Sequence, residues 1–197
     1  DLTTLLDNLA GVYDVIADDN GNIYVSDFPA GELIHLDGNG QSRTVTTIAK
    51  DNTDLAIDQP GNLYINNAAS GFARVNLTTG AKTAMTAPNA ACPAVQSPAL
   101  VLFDNSDRAI FGSWVANAIT WADFSSGDGG RLVHQPWANT PAAGIGPDDA
   151  LAMGVTGCGS AIPTQVVRFT VDGSSEVVVD GLTGNVSGFA IYNSGGY

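Results

Sequence analysis

Lysine and glutamate are nearly missing from this 197-residue chain, which holds only Lys50, Lys82, Glu32 and Glu176 of the two kinds. Exposed helix faces are built largely from such long polar side chains, so their scarcity excludes a mainly helical protein. Basic residues total 7 against 20 acidic ones, a formal charge of -13. The arginines are scattered, whereas nucleic acid or an anionic membrane surface is recognised by clustered Lys and Arg that displace counterions. Both partners are set aside. No stretch approaches the roughly 18 consecutive apolar residues of a membrane span, and no signal peptide is visible. The first residue is Asp1 rather than Met, which points to a processed or trimmed N-terminus.

The catalytic and metal motifs are equally sparse. No Gly-x-Ser-x-Gly elbow occurs, and no glycine loop opens a helix to cradle phosphate. The two histidines, His35 and His134, and the two cysteines, Cys92 and Cys158, show no zinc-ligand spacing.

What is present is a core and many turns. Hydrophobic residues make up 44% of the chain and charged ones 14%, with 23 glycines and acids that are almost all Asp. Asp and Gly favour turns and caps over helix interiors, so the composition reads as one all-β domain. An internal repeat organises it. Val15 to Tyr24 (VIADDNGNIY) superimposes on Leu55 to Tyr64 (LAIDQPGNLY) at an offset of 40 residues. Val101 to Ile110 and Ala143 to Ala152 continue the series at offsets of 46 and 42, and a fifth copy starts at Phe189. Each copy carries an apolar strand, a turn rich in Asp, Asn, Gly or Pro, and three further short strands. Four strands per period of this length mark the blade of a β-propeller. The expected blades are residues 12–49, 52–87, 98–135 and 141–181, with a partial fifth at 186–197.

The turn segments Asp18-Asp19-Asn20-Gly21-Asn22-Ile23-Tyr24 and Asp58-Gln59-Pro60-Gly61-Asn62-Leu63-Tyr64 resemble those of the NHL-repeat and senescence-marker/gluconolactonase-like propellers. The resemblance implies the propeller fold over nearly the whole chain. In lactonases of that kind Glu, Asn and Asp ligands from several blades hold a metal in the central tunnel. This chain offers no Glu or Asn at the matching first-strand positions.

Asp14 and Asp54 are equivalent by the 40-residue offset and fall on first strands, which line a propeller tunnel. The next copies place Leu100, Ala142 and Gly188 there. Two convergent carboxylates supply part of a weak Ca²⁺ site, since calcium takes six to eight oxygens. The alternative role is to accept hydrogen bonds from neighbouring first-strand amides. His35 and His134 fall on third and fourth strands, away from the tunnel, and read as structural.

The loops joining second to third strands share a face with the linkers between blades. That face is expected to carry Asp27, Asn67, Ser113, Trp114 and Trp137, an aromatic and polar surface suited to a sugar or peptide. Packing of Trp114 and Trp137 between blades is the competing role. Cys92 and Cys158 fall in long loops of this same face, one blade apart, which favours a disulfide over two buried thiols. Two sequons, Asn76-Leu77-Thr78 and Asn185-Val186-Ser187, permit glycosylation in a eukaryotic source.

Thr3 to Gly11 (TTLLDNLAG) resembles Glu176 to Gly184 (EVVVDGLTG), so residues 1–11 are expected to act as an outer, ring-closing strand. The ring is then incomplete at Tyr197, and the parent has five or six blades or borrows strands from another chain. The expectation is a secreted, extracellular or periplasmic, non-catalytic propeller that binds a glycan, peptide or protein through its loop-rich face. The alternatives are a metal-dependent lactonase or hydrolase using the tunnel, and a structural subunit of an extracellular assembly.

Overall fold

The computed structural model describes residues 4–50, 53–67, 71–85, 98–113, 118–126, 128–134, 137–145, 150–157, 164–169 and 174–182. These contain sixteen strands and no helix. β1 (Val12–Ala17), β2 (Ile23–Asp27), β3 (Glu32–Leu36) and β4 (Ser42–Thr47) form an antiparallel sheet in chain order. The same meander recurs in β5 (Thr53–Ile57), β6 (Leu63–Asn67), β7 (Gly71–Val75) and β8 (Lys82–Ala84). A third sheet holds β9 (Pro98–Phe103), β10 (Ala109–Ser113), β11 (Ala118–Asp123) and β12 (Asp128–His134). The fourth holds β13 (Trp137–Ile145), β14 (Leu151–Gly157), β15 (Thr164–Phe169) and β16 (Ser175–Leu182). Four antiparallel four-stranded sheets, one per repeat, are blades of a β-propeller.

The repeat survives because its turn is a specific hydrogen-bonded object. Asp18 Oδ1 accepts the N–H groups of Asn20 and Asn22, both at 2.9 Å, while Oδ2 accepts the Asn22 side-chain amide at 2.7 Å. Gly21 takes φ 79°, the left-handed conformation the hairpin requires. Asp58 repeats the pattern with the Asn62 backbone and side chain, and its Oδ2 accepts the Tyr64 hydroxyl at 2.9 Å where Asp18 takes that of Tyr24 at 3.4 Å. In the third copy Asp104 keeps the anchor, but Asp107 adopts φ 58° in place of glycine and the Arg108 guanidinium replaces the asparagine amide at 2.6 Å.

Contacts divide the chain into two units, Asp1–Thr86 with the first two sheets and Ala87–Tyr197 with the last two. In the first unit, Tyr24, Leu33, Val45 and Ile48 from one sheet pack against Leu55, Leu63, Ile65, Ala73 and Val75 from the next. Period-2 alternation puts these side chains on facing surfaces, and their burial drives the two sheets together. His35 belongs to this packing, its ring stacked on Tyr24 at 5.0 Å between centroids. In the second unit Ala109, Ile110, Phe111, Leu151, Val167 and Phe169 are buried, and β9 packs on β13. Arg108 pairs with Asp104 there and lies 5.3 Å over the Trp121 ring.

The fourth sheet begins at Trp137 rather than residue 141, because β13 reaches back past a register shift between Ala138 and Ala142. Residues 4–11 form no strand. Asn8 sits at φ 60°, and the matching Gly181, within β16, has φ 71°. The expected partial fifth blade at 186–197, with Gly188 and Asn185, lies outside the described residues.

Candidate functional site

The structure brings Asp14 and Asp54 together where β1 packs on β5. A register shift between Val12 and Asp14 lifts the Asp14 N–H off the β1–β2 ladder, and the Ser26 hydroxyl accepts it at 2.9 Å. The Asp14 carboxylate then takes two amides. Oδ1 accepts the N–H of Val15 at 2.8 Å, and Oδ2 reaches across the seam to the N–H of Leu55 on β5, also at 2.8 Å. One side chain thus ties the first strand of one sheet to the first strand of the next.

Asp54 sits opposite Asn66 in the β5–β6 register, as Asp14 sits opposite Ser26. The Asn66 amide donates to Asp54 Oδ2 at a long 3.4 Å. Ser26 and Asn66, the register partners of the two acids, are fully buried. Burial pushes the Asp14 carboxyl up, while the Leu55 and Val15 amides pull it down. For Asp54, burial and then the charge of Asp14 raise the carboxyl to about 7, against a small pull from Asn66. Two close carboxylates in a part-buried seam do not ionise together without cost, so near neutral pH the pair retains about one proton.

This arrangement fits Ca²⁺ poorly. Both Asp14 oxygens already accept amide protons, and among the described residues no three His, Cys, Asp or Glu side chains converge on a point. Calcium needs six to eight oxygen ligands. Of the two roles the sequence left open for Asp14, the geometry is that of the amide acceptor. Ser26 and Asn66 escaped sequence reasoning, although a signal existed: each is polar within an apolar second strand, and they are 40 residues apart.

The strand ends of each sheet carry the other candidates. Asp27 ends β2, Asn67 ends β6 and Ser113 ends β10, opposite Val12, Thr53 and Pro98 respectively. Trp137 opens β13 opposite Gly157, the equivalent register position, rather than lying in a linker. Asp27 differs from expectation in its surroundings. It is 3% exposed, and its two carboxylate oxygens accept the N–H groups of Ala10 at 2.8 Å and Gly11 at 3.0 Å. It anchors the N-terminal segment, and the adjoining Phe28 and Pro29 are the exposed residues of that turn. Behind it, the segment and the first sheet enclose a cleft of about 440 Å³ lined by Leu6, Leu9, Glu32, Ile34, Arg43 and Thr44 among others. Trp114, Cys92 and Cys158 lie outside the described residues.

Several solved structures share this fold. The chain matches virginiamycin B lyase from Staphylococcus aureus with a TM-score of 0.67 at 18% identity, over 91% of this chain and 59% of that one. It matches a protein of the nidogen/laminin complex with a TM-score of 0.65 at 15% identity, over 80% and 62%. TolB from Acinetobacter baumannii gives 0.62 at 16% identity, over 81% and 41%. These are β-propeller proteins, and the likeness at such identities is one of fold. The chain spans about three fifths of the length of the lyases it matches. No family model and no curated protein sequence matches it. Among the described residues no helix is long and apolar enough to cross a membrane.

Proposed function

We propose that the chain is a secreted, non-catalytic β-propeller that binds a glycan, peptide or protein through the loop-bearing ends of its sheets. The observation that carries this reading is the commitment of Asp14. Its carboxylate is spent on amides of the first strands, so the tunnel acid has a structural task and the groups left to meet a ligand stand at the strand ends. Asn67, Ser113, Trp114 and Trp137 are the proposed contacts; Phe28 and Pro29 are exposed at the turn after β2, and Asp27 holds the N-terminal segment in place. A propeller neighbour that occurs in a nidogen/laminin complex supports partner binding by this fold, and the extracellular domains of two component-system proteins among the neighbours support an extracytoplasmic setting. Intrinsic tryptophan fluorescence against a glycan and peptide panel tests the reading. Binding weakened by Phe28→Ser, Trp114→Ala or Trp137→Ala supports it; a ligand whose affinity is unaffected by all three overturns it.

A second reading is favoured by one observation, the Asp54 carboxyl held near 7. A group poised there suits general acid or base work in a lactonase or hydrolase of the gluconolactonase-like kind. Lactone turnover that disappears in Asp54→Asn would establish this reading. No turnover of a lactone panel by the wild-type chain between pH 5 and 9 would remove it.

A further inference from the structure

We propose that Asn76 is an acceptor for an N-linked glycan when the chain passes through a eukaryotic secretory pathway. This rests on the secreted part of the reading above and is independent of the ligand. Asn76-Leu77-Thr78 satisfies the acceptor sequence, and it forms the turn between β7 and β8. The argument lies in which atom of Asn76 is occupied. Oδ1 accepts the N–H groups of Thr78 at 3.0 Å and Thr79 at 2.9 Å, which fixes the side chain by its oxygen. Nδ2, the atom that becomes glycosylated, donates no hydrogen bond among the described residues. The amides of Asn8, Asn22, Asn62 and Asn66 contrast with it, because each donates to a neighbouring Asp carboxylate.

The surroundings of the turn also suit a bulky adduct. Asn76, Thr78 and Thr79 are exposed, while Leu77 points inward against the core and its carbonyl accepts Arg43 Nη2 at 2.7 Å. The backbone is closed by Asn76 N–H to Ala81 O and Gly80 N–H to Asn76 O, both 2.8 Å. Among the described residues a glycan on Nδ2 therefore displaces no packing and breaks no hydrogen bond. It also stands clear of the proposed binding ends, since the β7–β8 turn lies at the opposite end of the second sheet from Asn67.

The chemistry is a group transfer from a lipid-pyrophosphate-linked oligosaccharide. The Nδ2–C1 bond forms as the bond from C1 to the pyrophosphate oxygen breaks; the lipid pyrophosphate leaves, and Nδ2 loses one proton to a base of the transferase. The test is secretion of the full chain from yeast or insect cells, followed by peptide mapping before and after an amide-cleaving glycosidase. Enzyme release should leave Asp at position 76. The glycan should disappear from that peptide in Asn76→Gln and in Thr78→Ala, return in Thr78→Ser, and be unaffected by Asn185→Gln. Secreted protein whose residue-76 peptide is entirely unmodified would overturn the proposal. Ligand binding is read separately on the deglycosylated protein, so a failed binding hypothesis and an absent glycan give different results.

Discussion

Replacing Asp54 by Asn should stabilise the protein, and the gain should grow with pH. In the folded chain the Asp54 carboxyl stands at about 7 against an ordinary value of 3.8, through burial first and the charge of Asp14 second. A carboxyl raised in this way keeps its proton in the folded state after the unfolded chain has released it. Stability linked to Asp54 is therefore complete below pH 3.8, falls as pH rises towards 7, and stays at its reduced level above that. A shift of about three units at about 1.4 kcal/mol per unit sets a ceiling of about 4 kcal/mol, and structural relaxation of the coupled pair lowers it. Asn is isosteric, carries no charge, and keeps an oxygen for the Asn66 amide. Urea melts of wild type and Asp54→Asn at pH 4, 6, 7 and 8.5 measure the effect. Agreement at pH 4 and a gain of about 2 to 4 kcal/mol at pH 8.5 are expected; in a thermal melt of a chain this size that is on the order of 10 °C. A difference that does not change with pH, or a variant less stable than wild type at pH 8.5, would refute the account of the seam.

The companion substitution should act in the other direction. Asp14→Asn puts an amide nitrogen where one of the two accepting oxygens stands, leaving the N–H of Val15 or Leu55 unmet, with a loss of about 1 to 3 kcal/mol in urea melts at pH 6. Asp58→Ala strips the second turn of the acceptor for Asn62 and the Tyr64 hydroxyl and should cost about 2 to 3 kcal/mol, more than Asp37→Ala at an exposed turn of the same kind. Gly80→Ala should cost more than Gly21→Ala: both residues have positive φ, but a Cβ on Gly80 runs into the Val45 carbonyl oxygen whereas one on Gly21 meets nothing. The Gly21 variant carries the backbone penalty alone, about 1 to 2 kcal/mol, and equal melting points for the two would contradict the close approach of the β7–β8 turn to β4.

The fold was legible because the repeated unit is local chemistry. An Asp at the start of a hairpin collects amides two and four residues on, so the spacing of Asp, Gly and Asn in one turn can be read without knowing its neighbours. The third copy shows how far that goes. Asp107 and Arg108 replace glycine and asparagine, the motif as letters is gone, and the turn persists because Asp tolerates the left-handed region and a guanidinium can donate where an amide did. Residues 4–11 mark the limit. Their likeness to the segment after Ser175 was visible, yet whether such a segment pairs as a strand depends on what lies beside it, and Asn8 with Gly181 shares only the local kink.

The site was legible as positions and illegible as partners. Equivalence at 40 residues put Asp14 and Asp54 on matching first strands, but the decisive contact of Asp14 is an amide 41 residues away on another sheet, which no local pattern encodes. Asp27 fails for the same reason: Asp-Phe-Pro reads as an exposed turn, and its carboxylate is buried only because Ala10 and Gly11 arrive from 17 and 16 residues upstream. The two acids then diverge in role through their neighbours. Asp14 has two amides in reach that favour its charged form; Asp54 has a single long contact from Asn66 and the charge of Asp14 beside it, which with burial push its carboxyl up. Identical residues at identical repeat positions thus become a fixed acceptor and a titrating group, and the asymmetry is set by the hydrogen-bond donors around each carboxylate.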